Sequence, residues 1–357
     1  MLNITLTCIA AFIITFISIP SIIRVAMIKN LVDEPGGRKL HATRVPTLGG
    51  LGIFAGIIFA YTFFSATTGA QYNQYIISAM IVMFFIGLKD DLVDLTPSKK
   101  IIGQLVAALI IVLFGDIRMT SLYGILGIYS IPYLVSVVFS VLTILAIINA
   151  YNLIDGVDGL AAGIGAIASF TFGLWFYNYN EITLCILSFA VMSSLLAFLV
   201  YNFSPANIFM GDTGSLIIGL ILAVLTIQFI NLSFISPPDA FPFRSSPAMA
   251  VAILFIPIFD TLRVFIMRSI KGGSPFRADR NHIHHLLLDF GLSHREVAVI
   301  MYGVNMGIIL LALFLRNISS LNLLYTICGI AVLLFGGLNI LHFIFNRGPQ
   351  RASERTS

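Results

Sequence analysis

A chain of 357 residues with 58% hydrophobic residues, 10% charged residues and a mean hydropathy of +0.99 lies far from soluble domains, in which about a quarter of residues are charged. That balance excludes a water-soluble enzyme and describes a polytopic membrane protein. The net charge of +4 comes with no low-complexity run and no signature of nucleic-acid binding.

The first twenty residues lack a basic leader and a small-residue cleavage site, and Arg24 and Lys29 follow the apolar run, so the segment reads as an uncleaved first span with its N-terminus outside. At roughly 20 residues per span, hydropathy predicts eleven, at about 2–23, 48–67, 72–88, 101–115, 131–149, 160–177, 182–201, 215–234, 248–267, 296–315 and 322–345. The expected fold is all-α: one integral membrane domain over residues 1–347, then a disordered cytoplasmic tail over residues 348–357. Cys8, Cys185 and Cys328 sit apart within apolar runs and read as small core side chains, with no support for a disulfide or thiolate site.

Loop charge supports the alternation. Sixteen of the twenty Lys and Arg fall in odd-numbered loops or the C-terminal tail, three (Arg118, Arg244, Arg316) fall in even loops, and Arg263 lies within the ninth span. The odd loops are therefore cytoplasmic. Twelve acids share that side, so the net positive charge belongs to it and would attract anionic lipid or a phosphorylated substrate.

The first cytoplasmic loop carries Arg38, Lys39, His41 and Arg44 ahead of Gly49-Gly50. It is either a topology determinant or, through Lys39 and His41, a contact for a lipid phosphate. The third loop opens with Asp90-Asp91-Leu92-Val93-Asp94. On a continued helix, Asp90 or Asp91 would share a face with Asp94. Their repulsion would be relieved by Lys89, Lys99 and Lys100 as a solvated helix end, or by Mg²⁺, which combines one or two carboxylates with phosphates and water.

The fifth loop, Asn152-Leu153-Ile154-Asp155-Gly156-Val157-Asp158-Gly159, has no basic residue. Its glycines expose backbone and gather Asn152, Asp155 and Asp158 for a polar ligand or a metal; a plain turn with an aspartate cap is the alternative. In the seventh loop, Ile208-Phe209-Met210 precede Gly211-Asp212-Thr213-Gly214-Ser215. Capping explains part of that pattern, but apolar flanks would desolvate Asp212, a cost most simply offset by a cation.

Inside the ninth span, Asp260 and Arg263 stand at i,i+3 and read as a self-neutralising structural pair. The ninth loop then brings Arg277, Arg280, His282, His284 and His285 behind Gly272-Gly273. Guanidinium groups grip phosphate, and imidazoles donate to phosphate oxygens or move protons. Zinc is poorly supported, because no cysteine or HExxH partner is present. His294 and His342 read as structural.

Taken in order, DDLVD at 90–94, NLIDGVDGL at 152–160, FMGDTGS at 209–215 and HIHH at 282–285 make the chain resemble the polyprenyl-phosphate N-acetylhexosamine-1-phosphate transferases, from the first loop through the ninth. Ile283 interrupts what is a run of three histidines in the muramyl-pentapeptide branch, and the eleventh span is likewise a mark of the WecA/TagO-like branch. The resemblance implies a magnesium-dependent transferase, with manganese as a substitute metal. Its substrates would be a UDP-N-acetylhexosamine, most simply UDP-GlcNAc, and undecaprenyl phosphate, worked on at the cytoplasmic face of a bacterial inner membrane; a homodimer is the candidate assembly.

By the same resemblance, the catalytic set is Asp90, Asp91, Asp212, His282, His284 and His285, with Asp212, Asn152 and Asp91 as metal ligands. Substrate contacts fall to Lys39, His41, Asp94, Lys99, Lys100, Asn152, Asp155, Asp158, Arg277 and Arg280. Three rivals stand beside this reading. A phospho-N-acetylmuramoyl-pentapeptide transferase differs in donor. An ion-coupled transporter would place its charges near the midplane, and a DDxxD prenyltransferase has no use for GDTGS or HIHH.

Overall fold

In the computed structural model, residues 1–33, 45–66, 69–122, 124–235, 245–270 and 282–353 are described. Thirteen α-helices dominate them: α1 (Leu2–Ile28), α2 (Gly49–Ser65), α3 (Asn73–Val93), α4 (Pro97–Leu109), α5 (Tyr133–Leu153), α6 (Leu160–Asn178), α7 (Ile182–Asn202), α8 (Gly211–Ile235), α9 (Ser246–Ile253), α10 (Phe255–Ile270), α11 (Ile283–Asp289), α12 (His294–Phe314) and α13 (Ser320–Ser353). A two-residue antiparallel ladder, β1 (Val32–Asp33) with β2 (Val45–Pro46), closes the base of the first loop.

Among the described residues, eight helices are long and apolar enough to cross a membrane, and nine spans result if α9 and α10 count as one. This is an all-α multi-pass membrane protein. The remaining two of the eleven expected spans correspond to α2, an apolar helix of 17 residues, and α3, whose C-terminal part carries Lys89, Asp90 and Asp91. Two expected spans are irregular. The fourth starts at Pro97 and finishes in a π-helical turn, Ile110–Phe114. The ninth bends by 83° between Ile253 and Phe255.

The bend has a local cause. Pro257 lacks an N–H and cannot continue the ladder back into α9. Asn305 of α12 compensates: its Oδ1 accepts from Ile256 N at 3.2 Å and its Nδ2 donates to Ile253 O at 3.2 Å. Backbone groups that the break would orphan in an apolar setting are thereby satisfied.

At the centre stands α8, which packs against α2, α3, α5, α6 and α9, with side chains from Leu216 to Leu225 almost wholly buried. Small residues let the backbones approach. A Cβ on Gly50 of α2 would lie 2.2 Å from Gly214 N, and one on Gly87 of α3 would lie 2.5 Å from Thr213 Cα. Both helices are therefore pressed against the first turn of α8. Around this centre, α1 and α13 leave apolar side chains such as Ile17 and Leu333 exposed, the surface expected of lipid-facing helices.

Candidate active site

The first turn of a helix leaves N–H groups without intrahelical partners. At α8 they are met by Asp91 of α3, whose Oδ1 accepts from Asp212 N at 2.7 Å and whose Oδ2 accepts from Thr213 N at 3.0 Å and Thr213 Oγ1 at 2.5 Å. Gly211, with φ +69°, makes the turn in; a Cβ there would lie 2.1 Å from Thr47 O. Main-chain bonds from Phe209 N to Pro46 O, 2.8 Å, and from Gly49 N to Phe209 O, 2.9 Å, complete the join.

Asp90, one residue earlier, points elsewhere, since neighbours on a helix diverge by about 100°. Its Oδ1 accepts from Leu95 N at 2.5 Å and its Oδ2 meets the Lys100 ammonium. That ammonium also reaches Asp212 Oδ2 at 2.7 Å, so one cation bridges two carboxylates from different helices. Asn152 donates from Nδ2 to Asp212 Oδ1 at 2.5 Å and to Ser215 Oγ at 2.8 Å. Asp94 departs from expectation: α3 ends at Val93 and Asp94, at φ 45°, turns out to solvent instead of sharing the face of Asp90. Lys99 is also exposed.

The turn after α5 is anchored from three directions. Gly159 N donates to Asn202 Oδ1 at 2.9 Å, and Tyr302 Oη donates to Gly159 O at 2.5 Å. Asp158 accepts from Ala206 N at 3.2 Å and has Oδ1 3.4 Å from His294 Nδ1. Asp155 is different. Burial pushes its carboxyl up to about 8, and repulsion from Asp212, Asp91 and Asp158 adds to the shift.

The histidine segment docks on α10. His282 Nδ1 lies 3.0 Å from Asp260 Oδ2, Ile283 N donates to Asp260 Oδ1 at 2.9 Å, and His284 Nδ1 is 3.9 Å from Asp260 Oδ2. The pairing of Asp260 with Arg263 expected from the i,i+3 spacing gives way to these contacts, while Arg263 donates to Asn339 Oδ1 at 2.5 Å. The Ile283 side chain is buried, which leaves His282 and His284 stacked at 5.5 Å and 8°, with His285 4.4 Å from His284. His284 touches the fifth loop as well, since a Cβ on Gly156 would sit 2.7 Å from its Nε2. Burial holds its imidazole down at about 3, so the ring is neutral.

Asp90, Asp91, Lys100, Asn152, Asp155 and Asp212 thus converge on the first turn of α8, and His284 joins them through Gly156. Lys39, His41, Arg277 and Arg280 lie outside the described residues. Sequence reasoning missed Asp260 and His294 as partners of site residues. A clue to Asp260 existed in its being the lone acid within a span; His294, first residue of α12 after a Ser293–Glu296 capping box, offered none.

The donor set suits a hard divalent cation. Asp90 and Asp212 already share a positive group, and the Asn152 side chain stands at the same carboxylate. Asp91 has both its oxygens turned to the first turn of α8, where they accept from Asp212 N and from the N–H and hydroxyl of Thr213. Among the described residues no cluster of three or more His, Cys, Asp or Glu is placed to hold a metal alone, so phosphates and water would complete any coordination shell.

A family model described as glycosyl transferase family 4 matches residues 73–230. A probable undecaprenyl-phosphate N-acetylglucosaminyl 1-phosphate transferase of Bacillus subtilis (strain 168) is 32% identical over 321 residues, 87% of this chain and 85% of that protein. A decaprenyl-phosphate N-acetylglucosaminephosphotransferase of Mycobacterium tuberculosis (strain ATCC 25618 / H37Rv) is 33% identical over 313 residues, 82% and 77% of the two chains. An undecaprenyl-phosphate alpha-N-acetylglucosaminyl 1-phosphate transferase of Salmonella typhi is 30% identical over 300 residues, 82% and 78%. With relatives so alike over most of their length, the chain belongs to glycosyl transferase family 4, in the WecA/TagO-like branch of the polyprenyl-phosphate N-acetylhexosamine-1-phosphate transferases.

Proposed function

We propose that the protein transfers GlcNAc-1-phosphate from UDP-GlcNAc to undecaprenyl phosphate, yielding undecaprenyl-diphosphate-GlcNAc and UMP, with magnesium, at the cytoplasmic face of a bacterial inner membrane. Eleven spans, the nine above with α2 and α3, put the N-terminus outside and all four motif loops on the cytoplasmic side, in keeping with the distribution of basic residues. The observation that carries the reading is the Lys100 bridge between Asp90 and Asp212, next to Asn152. A carboxylate pair that demands a cation beside a buried turn is what two mutually repelling phosphate esters require in order to meet.

An oxygen of the lipid phosphate attacks the sugar-bearing phosphorus; the new P–O bond forms as the bond to UMP breaks, and UMP carries off the electron pair. Magnesium, when bound, supplies charge neutralisation for the diphosphate and the departing UMP. Asp212 and Asp90 would hold it, with Asn152 beside them. Asp91 keeps α8 in place, and Lys100, freed from the carboxylates, contacts phosphate. A phosphate monoester has its second pKa near ~6, so the acceptor is largely a dianion at neutral pH and needs little base assistance. Lys39, His41, Arg277, Arg280 and the histidines supply further phosphate contacts, and Asp155 contacts the nucleotide.

The test is incubation of detergent-purified protein with radiolabelled UDP-GlcNAc, undecaprenyl phosphate and Mg²⁺. Labelled lipid and stoichiometric UMP are expected. Neither product from wild-type protein would overturn the assignment, and transfer from UDP-MurNAc-pentapeptide alone would move it to the muramyl branch. Asp212→Asn should lose turnover by at least ~10³-fold while inserting and melting as the wild type does.

A further inference from the structure

Among the described residues, Asp260 is a buried acid outside the cluster at α8 with no part in the scheme above. We propose that Asp260 is a positioning residue for the transfer, setting the tautomer of His282 and clamping the backbone of the histidine segment against α10. The inference rests on the proposed function and deepens it.

Pro257 breaks the span, Asn305 satisfies the backbone groups at the break, and α10 leaves at 83° to α9. Asp260 comes three residues after Pro257, with no exposed surface. Burying a carboxylate at the depth of a span is costly unless every oxygen is met. Here Oδ1 takes the N–H of Ile283 and Oδ2 faces Nδ1 of His282. A carboxylate only accepts, so the His282 proton belongs on Nδ1, leaving Nε2 as the free ring atom. The second ring stacks in parallel: His284 is equally buried, and among the described residues its Nδ1 has no hydrogen-bond partner.

A purely structural clamp would need only the bond to Ile283 N, which an amide supplies as well as a carboxylate. Asp260→Asn therefore separates the two roles. With its Oδ1 kept on Ile283 N, the variant presents Nδ2 to His282 Nδ1, which must then accept, and the proton moves to Nε2. The same exchange at an imidazole-orienting carboxylate elsewhere lowers turnover by up to ~10⁴-fold.

The experiment is ¹⁵N NMR of histidine-labelled protein in bilayers, with the His282 signals assigned by their loss in His282→Gln. Alongside it, kcat and KM are measured for wild type, Asp260→Asn and Asp260→Leu. The proposal expects Nδ1–H at His282 in wild type, Nε2–H in Asp260→Asn, a kcat at least ~100-fold lower and KM values within about threefold. Nε2–H in wild type overturns it, and that measurement needs no variant to fold. A kcat within twofold of wild type in Asp260→Asn, or a fall matched by an equal loss of folded protein, overturns it too. Wild-type protein with the expected tautomer but no transferase activity would instead overturn the proposed function, and with it the reaction that Asp260 serves.

Discussion

Asp91, on the last turn of α3, accepts both the backbone N–H and the hydroxyl of Thr213 on the first turn of α8. The cap comes from a different helix, so it serves two ends at once: it satisfies orphan donors and fixes the height of α8 against α3. The residue next to it in the cap is Asp212, and any slip of α8 carries that carboxylate away from Lys100 and Asn152. Asp91→Ala is expected to destabilise the protein by about 1–2 kcal/mol, the usual range for a lost cap, and to lower turnover as well. Thermal melting in detergent beside the transfer assay checks this. An unchanged melting temperature with lost activity would make Asp91 a ligand or base and not a cap.

Lys100 is a tethered cation lying between Asp90 and Asp212. A divalent ion entering there must displace it, so the ammonium competes with metal. Lys100→Met should tighten Mn²⁺ binding, measured by EPR in the absence of substrate, by roughly fivefold, equivalent to the ~1 kcal/mol of a partly exposed ion pair. Turnover at saturating metal should fall, because the displaced ammonium no longer reaches phosphate. Weaker Mn²⁺ binding in the variant would mean that Lys100 organises the two acids for the metal and does not compete with it.

Asp155 sets a pH dependence of stability. Its carboxyl titrates near ~3.9 in an unfolded chain and at about 8 in the folded protein, chiefly through burial. Between those values the folded state retains a proton that the unfolded state has released. Stability therefore falls as pH rises through this window and levels off above it. Asp155→Asn, which cannot ionise, should remove that part of the slope, so that its melting temperature gains on wild type between pH 5 and pH 8.5. Parallel melting curves across that range would show that the carboxyl ionises freely in the folded state.

The four motifs were readable because ionisable residues are scarce here and each cluster breaks an apolar run; alternation of loops then put them on one side. What could not be read was the division of labour between neighbours. Asp90 and Asp91 are equivalent in the pattern DDLVD, yet their directions on α3 send one to Lys100 and the other to α8. Asp94 lay within helical reach in sequence and was lost when α3 stopped at Val93. Local spacing pairs Asp260 with Arg263, because it is all that a single span displays. The actual partner of Asp260, His282, is 22 residues away in the chain. Periodicity records which face of a helix is apolar; it carries no record of which polar group crosses to which helix.

Gly156 tests whether the histidine segment and the fifth loop must touch. Its backbone does not lie in the left-handed region, so alanine is compatible with the chain path and would slightly restrict the unfolded state. Space is the obstacle. The new methyl would meet His284 Nε2 at 2.7 Å and Cε1 at 3.4 Å, and the ring is walled in by His282, His285 and Asp260. The ring and the loop must separate by several tenths of an ångström. Displacements approaching 1 Å in a reacting site cost as much as ~10²-fold. Gly156→Ala should therefore lower kcat between about 10- and 100-fold, with stability held within about 0.5 kcal/mol. A variant with wild-type kcat would show that His284 has room to retreat, and that its contact with the fifth loop is incidental to turnover.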